Sequence, residues 1–165
     1  MSEPAGVRLR APLQRVSPKA RWMWTCSDLL RCVPLMAVIL LASGPWNWFH
    51  LPPWCLVGIG ALFVAYGLLV PQWRYLVHRW EVTEAAVYTQ TGWWARERRI
   101  APMSRVQTVD HREGALARLF GLATVRVTTA SSAGPLTIEG LEQHRALDIV
   151  EELTRMADSV PGDAT

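Results

Sequence analysis

The chain has 165 residues, half of them apolar and about a fifth charged, with a net charge of +3 at pH 7. The charge is uneven, because residues 1–31 carry six basic and two acidic residues, whereas residues 73–165 carry eleven basic and twelve acidic ones. This distribution argues against a nucleic-acid-binding protein, in which the folded domain itself carries a basic face. A basic tail beside a nearly neutral domain is instead typical of a segment that lies next to anionic lipid.

The first 28 residues are rich in Pro and Arg and show little hydrophobic periodicity. Such a composition predicts a disordered, basic tail, which the charge places on the cytoplasmic side of a membrane.

Two apolar segments follow, and we predict that residues 29–72 form a transmembrane helical hairpin. The first segment, about residues 29–49, starts beside Arg31 and contains Pro34, so an interfacial or re-entrant segment is the alternative to a full span. The second segment, about residues 52–71, contains the uncharged run Trp54–Val70. That run would extend about 26 Å as a helix, close to the hydrocarbon thickness of a bilayer.

Aromatic and basic residues mark the ends of the predicted hairpin. Its outer ends are flanked by Arg15, Lys19, Arg21, Arg74 and Arg79, whereas the connecting turn carries only His50. The positive-inside rule then predicts a multi-pass protein of the cytoplasmic (inner) membrane with both termini in the cytoplasm. Tryptophan favours the membrane interface, and the predicted interface residues are Trp22, Trp24, Trp46, Trp48, Trp54 and Trp73.

From residue 73 onward the apolar period changes from helical to alternating, which predicts a β-rich domain over residues 73–158 and a frayed tail over 159–165. The predicted strands span residues 73–82, 86–91, 93–100, 105–111, 122–129 and 136–139. A short helix is predicted at residues 114–120. A final amphipathic helix would cover the sheet with Ala146, Ile149, Val150, Leu153 and Met156.

The stretch IAPMSRVQTVDHREGALARLFGLATVRVTT, residues 100–129, resembles the YdbS-like family of bacterial pleckstrin-homology (PH) proteins. The resemblance continues at Ile138–Leu141 and covers residues 73–157 at the level of motifs. It implies an α+β fold in which a transmembrane helical hairpin precedes a PH-like antiparallel β-barrel or sandwich with a C-terminal amphipathic helix. A PH barrel has seven strands, so the seventh is expected to be hidden by a bulge or bend in one of the six.

The resemblance does not extend to a phosphoinositide pocket. Lipid-binding PH domains use basic residues on the first two strands and on the loop between them, and here that loop, residues 83–85, is acidic. The densest basic patch instead consists of Trp93, Trp94, Arg96, Arg98 and Arg99. We interpret this patch either as a contact with anionic headgroups or as a solvated strand face.

Three residues of the family motif, Arg105, Gln107 and Arg118, complete the candidate interaction surface. One interpretation is a surface that binds a partner. The other is a network that ties the short helix to the fourth strand.

The sequence contains no metal-ligand spacing, nucleophile motif, phosphate loop or carboxylate pair, so we predict neither a cofactor nor an enzymatic activity. Asp110 and His111, the nearest approach to an acid–base pair, would point to opposite faces of a strand. The leading hypothesis is a non-enzymatic module among membrane lipids that binds a membrane protein partner or a second copy of itself. The alternative is sensing of anionic lipid or envelope stress by the Trp/Arg patch, and a membrane enzyme is the third hypothesis.

Overall fold

Two long helices make up most of the N-terminal half of the chain, α1 (Lys19–Ser43) and α2 (Pro53–Val77). The computed structural model describes residues 11–44, 46, 51–92, 95–131 and 134–159. Each helix has 25 residues, about 37 Å of rise, and is long and apolar enough to cross a membrane. Only 17% and 6% of their most apolar windows are buried inside the protein, unlike the core helices of a soluble domain.

The two helices pack side by side in opposite directions through small residues of α2. Gly60 faces Met36, and a Cβ atom at Gly67 would lie 2.6 Å from Leu29 Cδ2. Small residues allow helices to approach closely in lipid, so these two glycines form the seam of the hairpin. Gly58 has no neighbour within 4 Å of an added Cβ and lies outside this seam.

Both helices extend further towards the sandwich than predicted. α1 begins at Lys19 rather than near residue 29, so the predicted disorder is wrong for the start of this helix. α2 continues past Pro71 to Val77, so the first predicted strand is wrong over residues 73–77. The reason is tertiary, because Ala20, Trp24 and Val77 are buried against the rest of the protein. Burial of this kind overrides a weak local pattern.

The described residues contain seven strands in two antiparallel sheets, followed by a C-terminal helix. The four-stranded sheet has the order β1 (Gln14–Arg15), β2 (Arg79–Val82), β3 (Ala86–Gly92) and β4 (Arg96–Pro102). The three-stranded sheet has the order β5 (Val106–Arg112), β6 (Leu122–Thr129) and β7 (Leu136–Glu142). The remaining helices are α3 (Ala115–Leu119) and α4 (Gln143–Ser159). The result is an open sandwich, which confirms the predicted PH-like α+β architecture but not a closed barrel.

The seventh strand comes from the N-terminal segment and not from a bulge or bend in another strand. β1 pairs Gln14 with Trp80 and Arg15 with Arg79 of β2, so it occupies one edge of the four-stranded sheet. The expectation of a hidden strand within residues 73–158 is therefore wrong. A strand of two residues has no measurable hydrophobic period, which is why the sequence pattern could not show it.

The core contains residues of both sheets and of the start of α1, and α4 covers it on the side of the three-stranded sheet. Ala146, Ile149 and Leu153 of α4 are fully buried against this core, and Val150 and Met156 pack at its margin, as the helical spacing predicted. Burial of the apolar face of α4 supplies the main local driving force for closing this side of the sandwich.

A β-bulge in β7 joins the sandwich to the membrane hairpin. The register passes from Ala123↔Leu141 to Val125↔Ile138, so two residues of β7, Glu139 and Gly140, lie opposite one residue of β6. Gly140 has a φ of +76°, a conformation that glycine adopts without steric cost.

Gly140 is also the point where the start of α1 meets the sheet. The backbone N–H of Ser17 donates a 2.9 Å hydrogen bond to the carbonyl oxygen of Gly140. A Cβ atom at position 140 would lie 2.6 Å from the Cβ of Ala20 and 3.5 Å from the Trp24 ring. Glycine is therefore required here both for its backbone conformation and for the close approach of α1.

The variant Gly140→Ala is expected to destabilise the full-length protein by about 2–4 kcal/mol, because it combines an unfavourable positive φ with overpacking against Ala20. The measurement is thermal unfolding of the detergent-solubilised chain. Gly114→Ala is the matched control, since Gly114 has a φ of −72° and open space around an added Cβ. Equal unfolding temperatures for the two variants would contradict the assigned role of Gly140.

Candidate functional site

A cleft of about 490 Å³ lies between the ends of α1 and α2 that meet the sandwich and the two sheets. We call it the helix–sheet cleft. Both helices and three strands contribute to its walls, with Tyr66 and Val70 of α2 on the apolar side. Its charged lining consists of Asp28, Arg31, Arg74, Glu97, Arg99 and Glu139.

The six charged residues of the cleft form three ion pairs. Arg74 Nη2 of α2 lies 2.6 Å from Glu139 Oε2 at the β7 bulge. Within β4, Arg99 Nε donates to Glu97 Oε1 at 2.6 Å. On α1, Arg31 Nη1 donates to Asp28 Oδ1 at 3.3 Å. Three positive and three negative groups therefore face one cavity, and their formal charges sum to zero.

Arg74 also organises an aromatic cluster behind the cleft. Its guanidinium carbon lies 4.4 Å from the centre of the Trp24 ring, within the range of a cation–π interaction. Trp24 meets His78 edge-on, with 5.7 Å between ring centres. His78 is 3% exposed, and burial together with the neighbouring charge of Arg74 lowers its pKa from 6.5 to about 4. The imidazole is therefore neutral near pH 7 and adds no charge to the cleft.

Five of the six predicted interface tryptophans can be placed. Trp22, Trp46, Trp54 and Trp73 are exposed on the protein surface, whereas Trp48 lies outside the described residues. Trp24 is 4% exposed and belongs to the hydrophobic core, so its prediction as an interface anchor is wrong. The helix turns it inward onto Arg74 and Gly140, which a pattern of aromatic residues near a span cannot show.

The basic patch of β4 is divided between two faces. Arg98 Nε donates to Gln90 Oε1 at 2.9 Å, and Gln90 Nε2 donates to the carbonyl oxygen of Val77 at 3.1 Å. Arg96 lies on this side of the strand, next to the end of α2. Arg99 lines the helix–sheet cleft on the opposite face. Trp93 and Trp94 lie outside the described residues.

The position of β4 also explains its charge in structural terms. It is an edge strand of the four-stranded sheet. Charged side chains along an edge discourage pairing with another chain, so this composition has a protective role whether or not it binds a ligand.

The three motif residues do not share one contact. Arg118 Nε lies 3.8 Å from Glu113 Oε2, while Glu113 Oε1 accepts a 2.6 Å hydrogen bond from Gln143 Nε2 at the start of α4. Glu113 thereby joins Arg118 to α4. The exposed Gln107 is the extra residue of a bulge in β5, and the carbonyl oxygen of Arg105 accepts a backbone hydrogen bond from Ala130.

Sequence reasoning missed the helix–sheet cleft because its walls come from distant parts of the chain. Arg74 and Glu139, for example, are 65 residues apart. One local signal was available, since Asp28 and Arg31 stand at the start of an apolar segment. Charged residues within a span pair with one another and face a cavity, as these two do. Among the described residues, no group of His, Cys, Asp and Glu side chains could hold a metal ion.

The fold and the sequence comparisons define the class of this protein. The sequence model of the bacterial PH domain family matches residues 29–157, and the chain belongs to that family. It is a membrane protein in which a PH-like domain follows two apolar helices. The chain is 28% identical over 152 residues to the UPF0699 transmembrane protein YdbS of Bacillus subtilis (strain 168), a match covering 89% of this chain and 96% of that protein. No solved structure gives a significant match.

The buried histidine predicts a pH dependence of stability. An unfolded chain protonates His78 as the pH falls through 6.5, whereas the folded chain resists protonation until about pH 4. The contribution of His78 to the free energy of unfolding therefore falls by about 3 kcal/mol between these pH values. His78→Gln should give a shallower decline of the unfolding temperature over this range.

The surface variant His144→Gln is the control, because the His144 side chain is 74% exposed, and it should retain the wild-type slope. A wild-type slope in His78→Gln would show that the buried imidazole does not control this dependence.

Proposed function

We propose that this protein is a non-enzymatic interaction module held against the inner face of the cytoplasmic membrane, with both termini in the cytoplasm. Its partner is a membrane protein or a second copy of the chain. The flanking basic residues support this orientation.

A reporter that is active only in the cytoplasm should be active when it is fused after Thr165. Activity of a reporter that works only in the periplasm would contradict the proposed orientation.

The direct attachment of the helices to the sandwich is the observation that carries this proposal. α2 ends at Val77 and β2 begins at Arg79, which leaves one residue between helix and strand. Ala20 and Trp24, near the start of α1, belong to the core of the domain. Because no flexible linker intervenes, a shift of either helix in the membrane would displace the sheets. A rigid mount of this kind suits a protein that reports or stabilises the state of a membrane assembly.

The short helix α3 offers a surface for a partner close to the membrane. Leu119 is 78% exposed, the largest exposed fraction among the bulky apolar residues of the described part of the chain. Arg118 lies beside it with a 74% exposed side chain. α3 contacts α1, so this pair lies on the side of the domain next to the hairpin. Arginine is enriched at protein interfaces, and the apolar side chain beside it adds surface that a partner can bury.

A photo-crosslinking residue at position 118 of the full-length chain, irradiated in native membranes, is expected to give a discrete protein adduct. Mass spectrometry then identifies the adduct as a second copy or as a membrane protein. Leu119→Ser in the same chain should reduce its yield several-fold, because the apolar anchor is removed. The same crosslinker at Arg155, exposed on α4, is the position control. Recovery of uncomplexed monomer alone from position 118 would contradict the proposal.

A second candidate function, sensing of anionic lipid, is favoured by the surroundings of Arg96. Arg79 and Arg96 line a cleft of about 420 Å³ together with Trp73 and Leu76 at the end of α2. Two guanidinium groups beside an exposed tryptophan at the end of a span suit contact with anionic headgroups.

The test uses the full chain in nanodiscs, because β1 and α1 complete the domain. Backbone amides of β4 should exchange hydrogen more slowly in discs containing anionic lipid than in zwitterionic discs, and high salt should abolish the difference. Arg79→Gln/Arg96→Gln should remove it, whereas Arg112→Gln/Arg126→Gln on the other sheet should not. Identical exchange in both lipids at low salt would rule this function out.

A further inference from the structure

The ion pair of α1 lies at a level where the neighbouring helix is still uncharged. Leu29, which stands between Asp28 and Arg31 in sequence, faces Gly67 of α2. From Gly67 the uncharged part of α2 continues to Trp73, about 9 Å closer to the cytoplasm. Asp28 and Arg31 therefore lie near the inner boundary of the hydrocarbon. Ionisable groups at this depth are costly unless they face a polar cavity, and they commonly mark a ligand site.

The helix–sheet cleft supplies that cavity and reaches from the membrane boundary to the sheets. The Asp28 carboxylate is 12% exposed and the Arg31 side chain 77% exposed, so the guanidinium extends outward from the pair. The Arg74–Glu139 and Arg99–Glu97 pairs, whose side chains are between 37% and 57% exposed, lie on the other walls. Five of the six side chains are thus accessible enough to meet a ligand that enters from the inner leaflet, and Asp28 is bonded to the most exposed of them, Arg31.

The alternation of charge limits the chemistry of such a ligand. An anion would be attracted by three guanidinium groups but repelled by three carboxylates. A cation would be attracted by the carboxylates but repelled by the guanidinium groups. A zwitterion can place a negative group against arginine and a positive group against a carboxylate without leaving either sign unpaired. The neutral state of His78 preserves this balance.

We propose that the helix–sheet cleft binds the headgroup of an inner-leaflet phospholipid that carries a phosphate and a primary ammonium group. Arginine forms bidentate hydrogen bonds with phosphate, and the carboxylates accept hydrogen bonds from the ammonium. Tyr66 and Val70 of α2 line the apolar wall along which an acyl chain returns to the bilayer. The volume of about 490 Å³ suits a small polar headgroup. This site is separate from the protein-binding role proposed above and from the basic surface around Arg96.

The ammonium group gives the proposal a specific prediction. A primary ammonium has three hydrogen-bond donors for carboxylates, a trimethylammonium has none, and a glycerol headgroup has no positive charge. The full-length protein in detergent is therefore titrated with phosphatidylethanolamine, phosphatidylcholine and phosphatidylglycerol of identical acyl chains. Native mass spectrometry measures the bound lipid, and we expect phosphatidylethanolamine to bind about tenfold more tightly than the other two.

Two double variants test opposite walls of the cleft without changing the net charge. Asp28→Asn/Arg31→Gln alters the membrane side and Glu97→Gln/Arg99→Gln the sheet side, and each should remove most of the preference for phosphatidylethanolamine. Glu151→Gln/Arg155→Gln on α4 also removes one acid and one base and should retain it. Circular dichroism and the unfolding temperature identify any variant that loses its fold. If one variant does so, the other variant and the wild-type lipid series test the proposal.

Equal binding of the three lipids by the wild-type chain, or an unchanged preference in a folded cleft variant, would overturn the proposal. Displacement of phosphatidylethanolamine by millimolar glycerophosphoethanolamine would show that the cleft recognises a free zwitterion, and would overturn its assignment to a membrane lipid.

Discussion

The contact between the start of α1 and the bulge of β7 is the constraint on which the rest of this structure depends. The extra residue in β7 turns Gly140 to a φ of +76° and removes any side chain from the point where Ala20 and Trp24 arrive. The same bulge presents Glu139 to Arg74 of α2. Both helices are therefore attached to one irregularity in one strand, α1 by close packing and a backbone hydrogen bond and α2 by an ion pair. A regular strand would offer neither the gap nor the carboxylate.

This attachment explains why the PH-like domain and the membrane hairpin behave as one unit. β1 precedes α1 and completes the sheet that β2 begins after α2, so the chain passes through the hairpin between two paired strands. The domain cannot be separated from the hairpin at residue 73 without losing a strand and part of its core. The helix–sheet cleft follows from the same geometry, because α1 and α2 meet β3, β4 and β7 there and charged residues of both helices and of the strands line the cavity.

Much of this architecture was predictable where the pattern is local and long. The uncharged run of α2, the alternating strands over residues 86–91 and 122–129, and the apolar face of α4 each repeat a period often enough to be recognised. The motif over residues 100–129 identified the family, and the family comparison confirmed it. The failures fall where a contact across the chain decides the local structure. Residues 73–77 alternate like a strand but continue α2, and Trp24 has the position of an interface anchor but the environment of a core residue.

The sequence by itself determined the order of the parts: two apolar spans, a β-rich domain and a covering helix. These depend on hydrophobic periodicity and on the length of uncharged runs, which are properties of neighbouring residues. Only the tertiary structure decided where the seventh strand comes from, which way Trp24 faces and which charges share the cleft. Those features depend on contacts such as Ser17 with Gly140 and Arg74 with Glu139, between residues that are far apart in sequence. No local pattern encodes such pairs, because each residue type is also common on an exposed surface, and the fold alone brings the partners together.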